Sequence, residues 1–557
     1  MSWGSIRQGE PARTIQPKAP NTSRNSRVSW EFITPSRSVA TSDAVNTLVL
    51  HQIGAGANLL SAYSAPFAGS ANGQPYDLRP PVLRDTCMKD ACKEELFRDV
   101  VASLEQAGHK LCVLHGDTGY PERYEPDKDV DTISEEPAQV PRILSEGKVA
   151  SIVRAPKGAE GTLYMLYLYR RCRGRPVFLE LDVWADCRRK GYVFLSGEEI
   201  LESRRAFEYF KVPSPELEFT CHLLRRMIKG LDEARAQRLS ELYREDPSGC
   251  TAQLARFFPK AEATLIAEAA RSGDWKPVLR QSERLRQAML ENAHHEQPLG
   301  KLRFWLGEIG TRIRACVQPE GLMVVFLGTD GAGKSTVTAR IEQDLAPAFS
   351  STKRYHRPVA SPLRWMKRYR ARSRSGGRTS TGVSVGGMNA QPTQPHPPGK
   401  PPHKLPASLL KLGLWWADFA VFGYLLSIYP QLIRSTLVVL DRYYHDLLVH
   451  PEGYRYGGSL ELARIVGRFV PSPHLVILLD APPEVIQARK QELTFEETAQ
   501  QREAYLELVE GLSNAHVVDA SQSLDEVVDA VEEIILGYMA DRTAQRLGLK
   551  TPRFSAP

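Results

Sequence analysis

The sequence predicts a protein whose C-terminal part is an α/β domain with a doubly wound parallel sheet. An α+β domain and a helical bundle precede it. Three observations point there. Short apolar runs at residues 323–327, 436–440, 474–479 and 516–518 have the length and composition of buried parallel strands, and helical segments separate them. A glycine-rich turn, GTDGAGKST at residues 328–336, joins the first run to a helix over 334–345. Upstream, period-two runs give way near Ser196 to helical spacing.

A length of 557 residues is too much for one core. Residues 1–84 are rich in Ser, Pro, Asn, Gly and Ala and read as a mostly disordered tail. The α+β domain spans 85–200. It has a helix over 93–107, then strands over 110–114, 127–134, 150–153, 162–169 and 177–183. The bundle covers 201–320; Ser196 followed by Glu198 and Glu199 supplies a helix start just before it. The last domain covers 321–540, interrupted by a Ser/Gly/Pro/Arg-rich flexible insertion at 368–404, and 541–557 form a tail.

A hydrophobic share of 42% and a charged share of 25% are those of an ordinary globular chain. The net charge of +7 suits anionic ligands. Its eight cysteines form no CxxC pair, which argues against a structural zinc site and for reduced thiols. With no apolar leader at the start, the expected location is the cytoplasm. The apolar stretch 409–433 carries Lys411, Asp418 and Pro430, so a buried or amphipathic helix is expected there and no transmembrane span.

The turn at 328–336 is a complete G-x-x-x-x-G-K-S between strand and helix. Gly328, Gly331 and Gly333 free the backbone to aim N–H groups at phosphate oxygens, and the helix that follows presents its positive end. Lys334 reaches the outer phosphates of ATP, Ser335 offers a hydroxyl to Mg²⁺, and Thr336 completes the cradle with Asp330. At 437–446, LVVLDRYYHD ends a strand on Asp441 and Arg442 at the sheet edge where ligands bind. LLDAPPEVIQARK at 478–490 ends another strand and then presents Arg489 and Lys490.

These three elements resemble those of thymidylate kinases, over residues 321–540. The resemblance implies transfer of the γ-phosphoryl group of ATP, with Mg²⁺, to a phosphate-bearing small-molecule acceptor. Asp330 would face that acceptor, Arg442 would contact its phosphate, Asp441 would organise Mg²⁺ or its water, and Arg489 with Lys490 would close over the phosphates. No stable nucleic-acid partner is expected; a homodimer is compatible. One segment departs from the family: YHRPVASP at 355–362 stands where thymidylate kinases carry Arg-Glu-Pro-Gly, leaving Arg357 as a cation for some other acceptor.

In the N-terminal half, Asp129 and Asp131 alternate on a strand and so share a face, and Asp182 lies in FLELDVW. Carboxylates on one face can hold divalent metal. The pattern resembles polymerase-beta-type nucleotidyltransferases over residues 93–260, which implies that the three bind magnesium and a nucleotide. The chain departs from that family by having His115, Gly116 and Asp117 after the first strand in place of Gly-Ser. A reading from another class is a nucleotide-binding switch or scaffold with a degenerate nucleotidyltransferase-like module, and a third makes the helix near Trp415 and Trp416 a membrane-surface anchor.

Overall fold

The computed structural model describes residues 81–114, 129–158, 161–355, 402–491 and 493–549. The tail at 1–80, most of the 368–404 insertion, His115, Gly116, Asp117, Arg357 and residues 550–557 lie outside the described residues. The described residues all fall within one compact unit.

That unit opens with a helix, Pro81–Gln106, whose Leu96, Val100 and Leu104 are fully buried at helical spacing. It packs on a five-stranded sheet of β1 (Leu111–Val113), β2 (Val130–Ser134), β3 (Ser151–Arg154), β4 (Leu163–Cys172) and β5 (Arg175–Trp184), in the order β1-β2-β5-β4-β3. A two-residue turn closes the β4–β5 hairpin. Its Arg173 and Gly174 both have positive φ (51° and 79°), the combination that matches strand twist in tight hairpins. β5 then inserts beside β2 in parallel, with Asp182 opposite Asp131.

Two antiparallel pairs follow, β6 (Cys187–Arg189) with β7 (Tyr192–Leu195) and β8 (Arg205–Phe207) with β9 (Phe210–Val212). The second pair falls inside the stretch expected to be helical. Phe210 and Val212 are buried in the core of the first sheet, and that packing overrides the local pattern. The helices Pro215–Lys229 through Ser282–Glu296 pack around Leu224, Leu239, Leu242 and Ile266. Ser196 caps its helix as expected, accepting from the Glu199 amide at 3.1 Å.

The second sheet comprises β10 (Leu322–Leu327), β11 (Ser351–Tyr355), β12 (Thr436–Leu440), β13 (Leu475–Asp480) and β14 (Ala515–Asp519), in the order β11-β12-β10-β13-β14 and parallel throughout. The α/β class with a parallel sheet therefore holds. The four expected strands are present; β11, half exposed and bearing Lys353 and Arg354, has no apolar run to announce it. The strand order reverses at β10, so the turn after β10 opens at the switch point where ligands bind in such sheets.

Two sequence expectations are corrected. The domain end at 540 is overrun by the helix Leu524–Leu547, which crosses onto β3, where the Thr543 hydroxyl donates to the Val153 carbonyl at 2.9 Å. Val153, Tyr169 and Phe178 of the first sheet share a core with Leu322, Ile341 and Ile535, so the halves meet in a packed seam. Arg154 crosses it to the Ala348 carbonyl, and Arg171 to Asp529 (2.9 Å) and Glu532 (3.3 Å). Cysteines expected to be reduced include a bonded pair, Cys92–Cys172, which ties the first helix to β4. The apolar helix Leu405–Ile433 packs Leu412, Ile428 and Leu432 into the core of the second sheet and leaves Leu410, Leu425 and Leu426 exposed, with 11% of its most apolar window buried. By length and composition it could cross a membrane.

Candidate functional site

The turn after β10 holds its shape through glycine. Gly328 has φ 140°, and a Cβ there would lie 2.6 Å from the Leu479 carbonyl at the end of β13, so a side chain is excluded twice over. Gly331 has φ 106° and passes close to Ile486 and Lys490. Gly333, also at positive φ, is the N-cap of the helix Lys334–Asp344. Lys334 is 9% exposed and folds back over the turn, donating to the carbonyls of Gly328 (2.8 Å) and Thr329 (2.9 Å). Ser335 and Thr336 are exposed at the start of the helix. The turn thus has a buried ammonium inside and two hydroxyls at its mouth.

The end of β12 brings the second group. Asp441 is buried at the strand tip, its amide donating to the Tyr355 carbonyl at 2.9 Å. The next residue, Arg442, reaches across to Asp330 and donates to both carboxylate oxygens, at 2.9 and 3.1 Å. Asp330 also lies 3.6 Å from the Lys334 ammonium. Burial would raise the Asp330 carboxyl, but Lys334 and Arg442 outweigh it and hold the group below the usual carboxylate range. Burial likewise opposes the Arg442 charge, and Asp330 and Asp446 reverse the effect and raise it. A fixed guanidinium and a fixed ammonium thus flank one carboxylate, an arrangement pre-set for phosphate oxygens.

Two residues behind this row complete it. Asp446, buried, accepts from the Tyr505 hydroxyl (2.7 Å) and the Tyr443 amide (3.2 Å); burial pushes its carboxyl up, against Tyr505 and Arg442. Asp480, at the tip of β13, is gripped by Arg502 through two bonds of 2.7 and 2.8 Å. Of the two expected closing residues, Arg489 donates to the Ala520 carbonyl beyond β14 (2.9 Å), whereas Lys490 lies against Gly331 and its charge lowers the Asp330 carboxyl. Lys490 is therefore the nearer to the turn.

On the first sheet, Asp129, Asp131 and Asp182 each place a carboxylate oxygen within 4.8 Å of the others. The parallel β2–β5 register makes this juxtaposition. Asp131 and Asp182 are buried and Asp129 is exposed. Asp131 accepts from the Trp184 indole at 3.2 Å and is ion-paired with the buried Arg225 guanidinium. Burial, then Asp131 and Asp129, push the Asp182 carboxyl up to about 8. Its Oδ1 is buried with no hydrogen-bond partner among the described residues. A buried, unsatisfied oxygen facing two more carboxylates is the donor set that a hard divalent cation accepts.

Residues 422–531 match the family model for thymidylate kinase. Thymidylate kinases of Xanthomonas oryzae pv. oryzae are 27% identical over 234 residues, 41% of this chain and 88% of theirs. A probable thymidylate kinase of Saccharolobus solfataricus is 36% identical over 107 residues, 18% of this chain and 55% of its own length. A crystal structure of thymidylate kinase from Ehrlichia chaffeensis aligns along its whole length with 39% of this chain, at 15% identity and a TM-score of 0.25. The C-terminal region resembles a thymidylate kinase.

The thymidylate-kinase-like match takes in Asp441, Arg442, Asp446, Asp480 and Arg502 and leaves the acidic trio of the first sheet outside it. Asp446 and Asp480 were not singled out from sequence. Both close the apolar-to-acidic runs already noted, LVVLDRYYHD and LLD, so a carboxylate at or just after a strand tip is the signal that could have found them. Arg225 was missed because nothing in a helix sequence points across to another domain layer.

Proposed function

We propose that the C-terminal domain is an ATP- and Mg²⁺-dependent phosphotransferase that moves the γ-phosphoryl group of ATP to a nucleoside monophosphate or a related phosphate-bearing acceptor. The observation that carries this reading is the Arg442–Asp330–Lys334 row across the mouth of the glycine turn. The turn and Lys334 hold the donor phosphates, and Arg442 reaches the same point from the neighbouring strand, where an acceptor phosphate would sit. An acceptor oxygen attacks the γ-phosphorus while the bond to the β–γ bridging oxygen breaks and ADP leaves. Charge builds on the transferred oxygens, and Lys334, Arg442 and Lys490 are the cations placed to meet it. The exposed Ser335 hydroxyl and the buried Asp441 carboxylate would hold Mg²⁺, which supplies further neutralisation of the phosphates. Asp330 keeps Arg442 fixed until an acceptor phosphate replaces it as partner.

The segment at 355–362 lacks the Arg-Glu-Pro-Gly of thymidylate kinases, so the acceptor base is left open. The same reading has the protein act in the cytoplasm, without a stable nucleic-acid partner. Labelled ATP with a panel of nucleoside monophosphates tests it. A labelled diphosphate that disappears in Lys334→Ala supports the transferase. Slow hydrolysis of ATP that no acceptor alters supports a nucleotide-driven switch instead.

The carboxylate cluster favours a second activity, nucleotidyl transfer in the N-terminal half. Asp129, Asp131 and Asp182 would hold the divalent metal, whose role would be to activate the attacking oxygen and neutralise a triphosphate. Arg225 would exchange Asp131 for a phosphate of the incoming nucleotide. Isothermal titration with Mn²⁺ tests the site: saturable binding that Asp182→Asn abolishes supports it, and identical isotherms count against it.

A further inference from the structure

We propose that the helix Gly300–Val317 binds the surface of a lipid bilayer rich in acidic phospholipids. This helix connects the bundle to the nucleotide-binding sheet, and of its residues only Gly300 is buried. Its large apolar side chains stand in water: Leu302 (56% exposed), Trp305 (56%), Leu306 (61%), Ile309 (48%), Ile313 (60%) and Val317 (72%). At about 100° per residue these positions fall in one stripe roughly 120° wide. Half-buried Phe304, Gly307, Glu308, Thr311 and Ala315 fall on the opposite side. Phe304 there packs against the β6–β7 turn at Gly191. Phe304 apart, the helix thus turns its polar and small side toward the protein and its apolar side outward. That is the reverse of a helix folded into a soluble core.

The charges choose the occupant. Lys301, Arg303, Arg312 and Arg314 are all exposed, and on the same wheel they line the two edges of the stripe. The helix has a single acid, Glu308, which lies beside one of these edges, 3.9 Å from the Arg312 guanidinium, and leaves a net excess of three positive charges. Basic residues at the border of an apolar face let their stems lie along the hydrocarbon while the charged heads meet phosphate groups. A second copy of this chain fits poorly, because pairing about a two-fold would set each basic row beside another basic row. Acidic headgroups supply the missing negative charge. The neighbouring helix Leu405–Ile433 extends the apolar surface. The Tyr429 hydroxyl donates to the Cys316 carbonyl, joining the two, and Leu410, Leu425 and Leu426 on it are 68%, 55% and 63% exposed.

Flotation of the full chain with unilamellar vesicles tests this, comparing phosphatidylcholine alone with phosphatidylcholine containing phosphatidylglycerol. The chain should float with the acidic vesicles, less with the neutral ones, and less again in high salt. Arg303→Gln/Arg312→Gln/Arg314→Gln should weaken binding to acidic vesicles by about a hundredfold. Trp305→Asp/Leu306→Asp should abolish it. Retained ATP binding in both variants shows that they fold, since none of these residues lies in the nucleotide site. Sedimentation velocity reads self-association in parallel. Failure of the wild-type chain to float on acidic vesicles overturns the proposal, as does a dimer that Trp305→Asp/Leu306→Asp dissolves while leaving flotation intact.

Discussion

The two halves of the molecule handle charge in opposite ways. In the C-terminal domain one carboxylate, Asp330, lies between two cations, and its carboxyl is held low. In the N-terminal sheet three carboxylates crowd together with one guanidinium, and the Asp182 carboxyl is driven up to about 8. The first arrangement is short of negative charge, which an anion such as a phosphate would supply. The second has an excess of it, which a cation would balance. Both sit where a parallel strand pair ends or runs side by side, so similar backbone geometry serves opposite chemistry.

The largest effect that would sharpen this contrast is at the ammonium. Lys334→Ala should lower phosphoryl transfer by about a thousandfold in a single-turnover assay, with the melting temperature little changed. A small loss would mean that the cradle is completed by other cations. Next comes the guanidinium paired with the acidic cluster. Arg225→Gln removes the partner of a buried acid and should destabilise the metal-free protein by about 3 kcal/mol, seen as a lowered melting temperature. Added Mn²⁺ should restore much of that loss; if it does not, the trio is a structural ion-pair network. Arg442→Lys keeps the charge and loses the two-point grip on Asp330. It should cost about thirtyfold in kcat/KM for the acceptor and much less for ATP.

The smallest effect lies in the seam. Glu532 has a side chain 1% exposed, and burial, with Asp344 nearby, pushes its carboxyl up to about 7, against Arg171. The folded chain therefore keeps a proton that the unfolded chain releases near the ordinary glutamate value. Between the two values the folded state binds more protons, so stability falls as pH rises from about 4.5 to about 7. Glu532→Gln should flatten that slope, on the order of 2 kcal/mol across the window, in urea melts at several pH values. An unchanged slope would place the titration elsewhere.

How far the sequence could be read follows the same division. The glycine turn is contiguous: nine residues fix its backbone, its lysine and its hydroxyls, and the flanking strand and helix lie where the pattern put them. The strands β10, β12, β13 and β14 announce themselves as apolar runs because both faces of the sheet are covered. Asp129, Asp131 and Asp182 were legible as candidates, but their meeting depends on β5 inserting in parallel beside β2, a matter of register across 50 residues. The partners Arg225 and Tyr505 reach their acids from helices far along the chain, and no local pattern encodes such contacts. β8 and β9 were hidden in a helical context for the same reason: tertiary burial of Phe210 and Val212 decides them.

Hydrogen–deuterium exchange of the peptide spanning 326–338, with and without Mg-ATP, addresses the nucleotide cradle most directly. Slowed exchange at Gly331 through Ser335, lost in Lys334→Ala and absent with magnesium alone, is the expected result. Unchanged exchange under saturating Mg-ATP would contradict it.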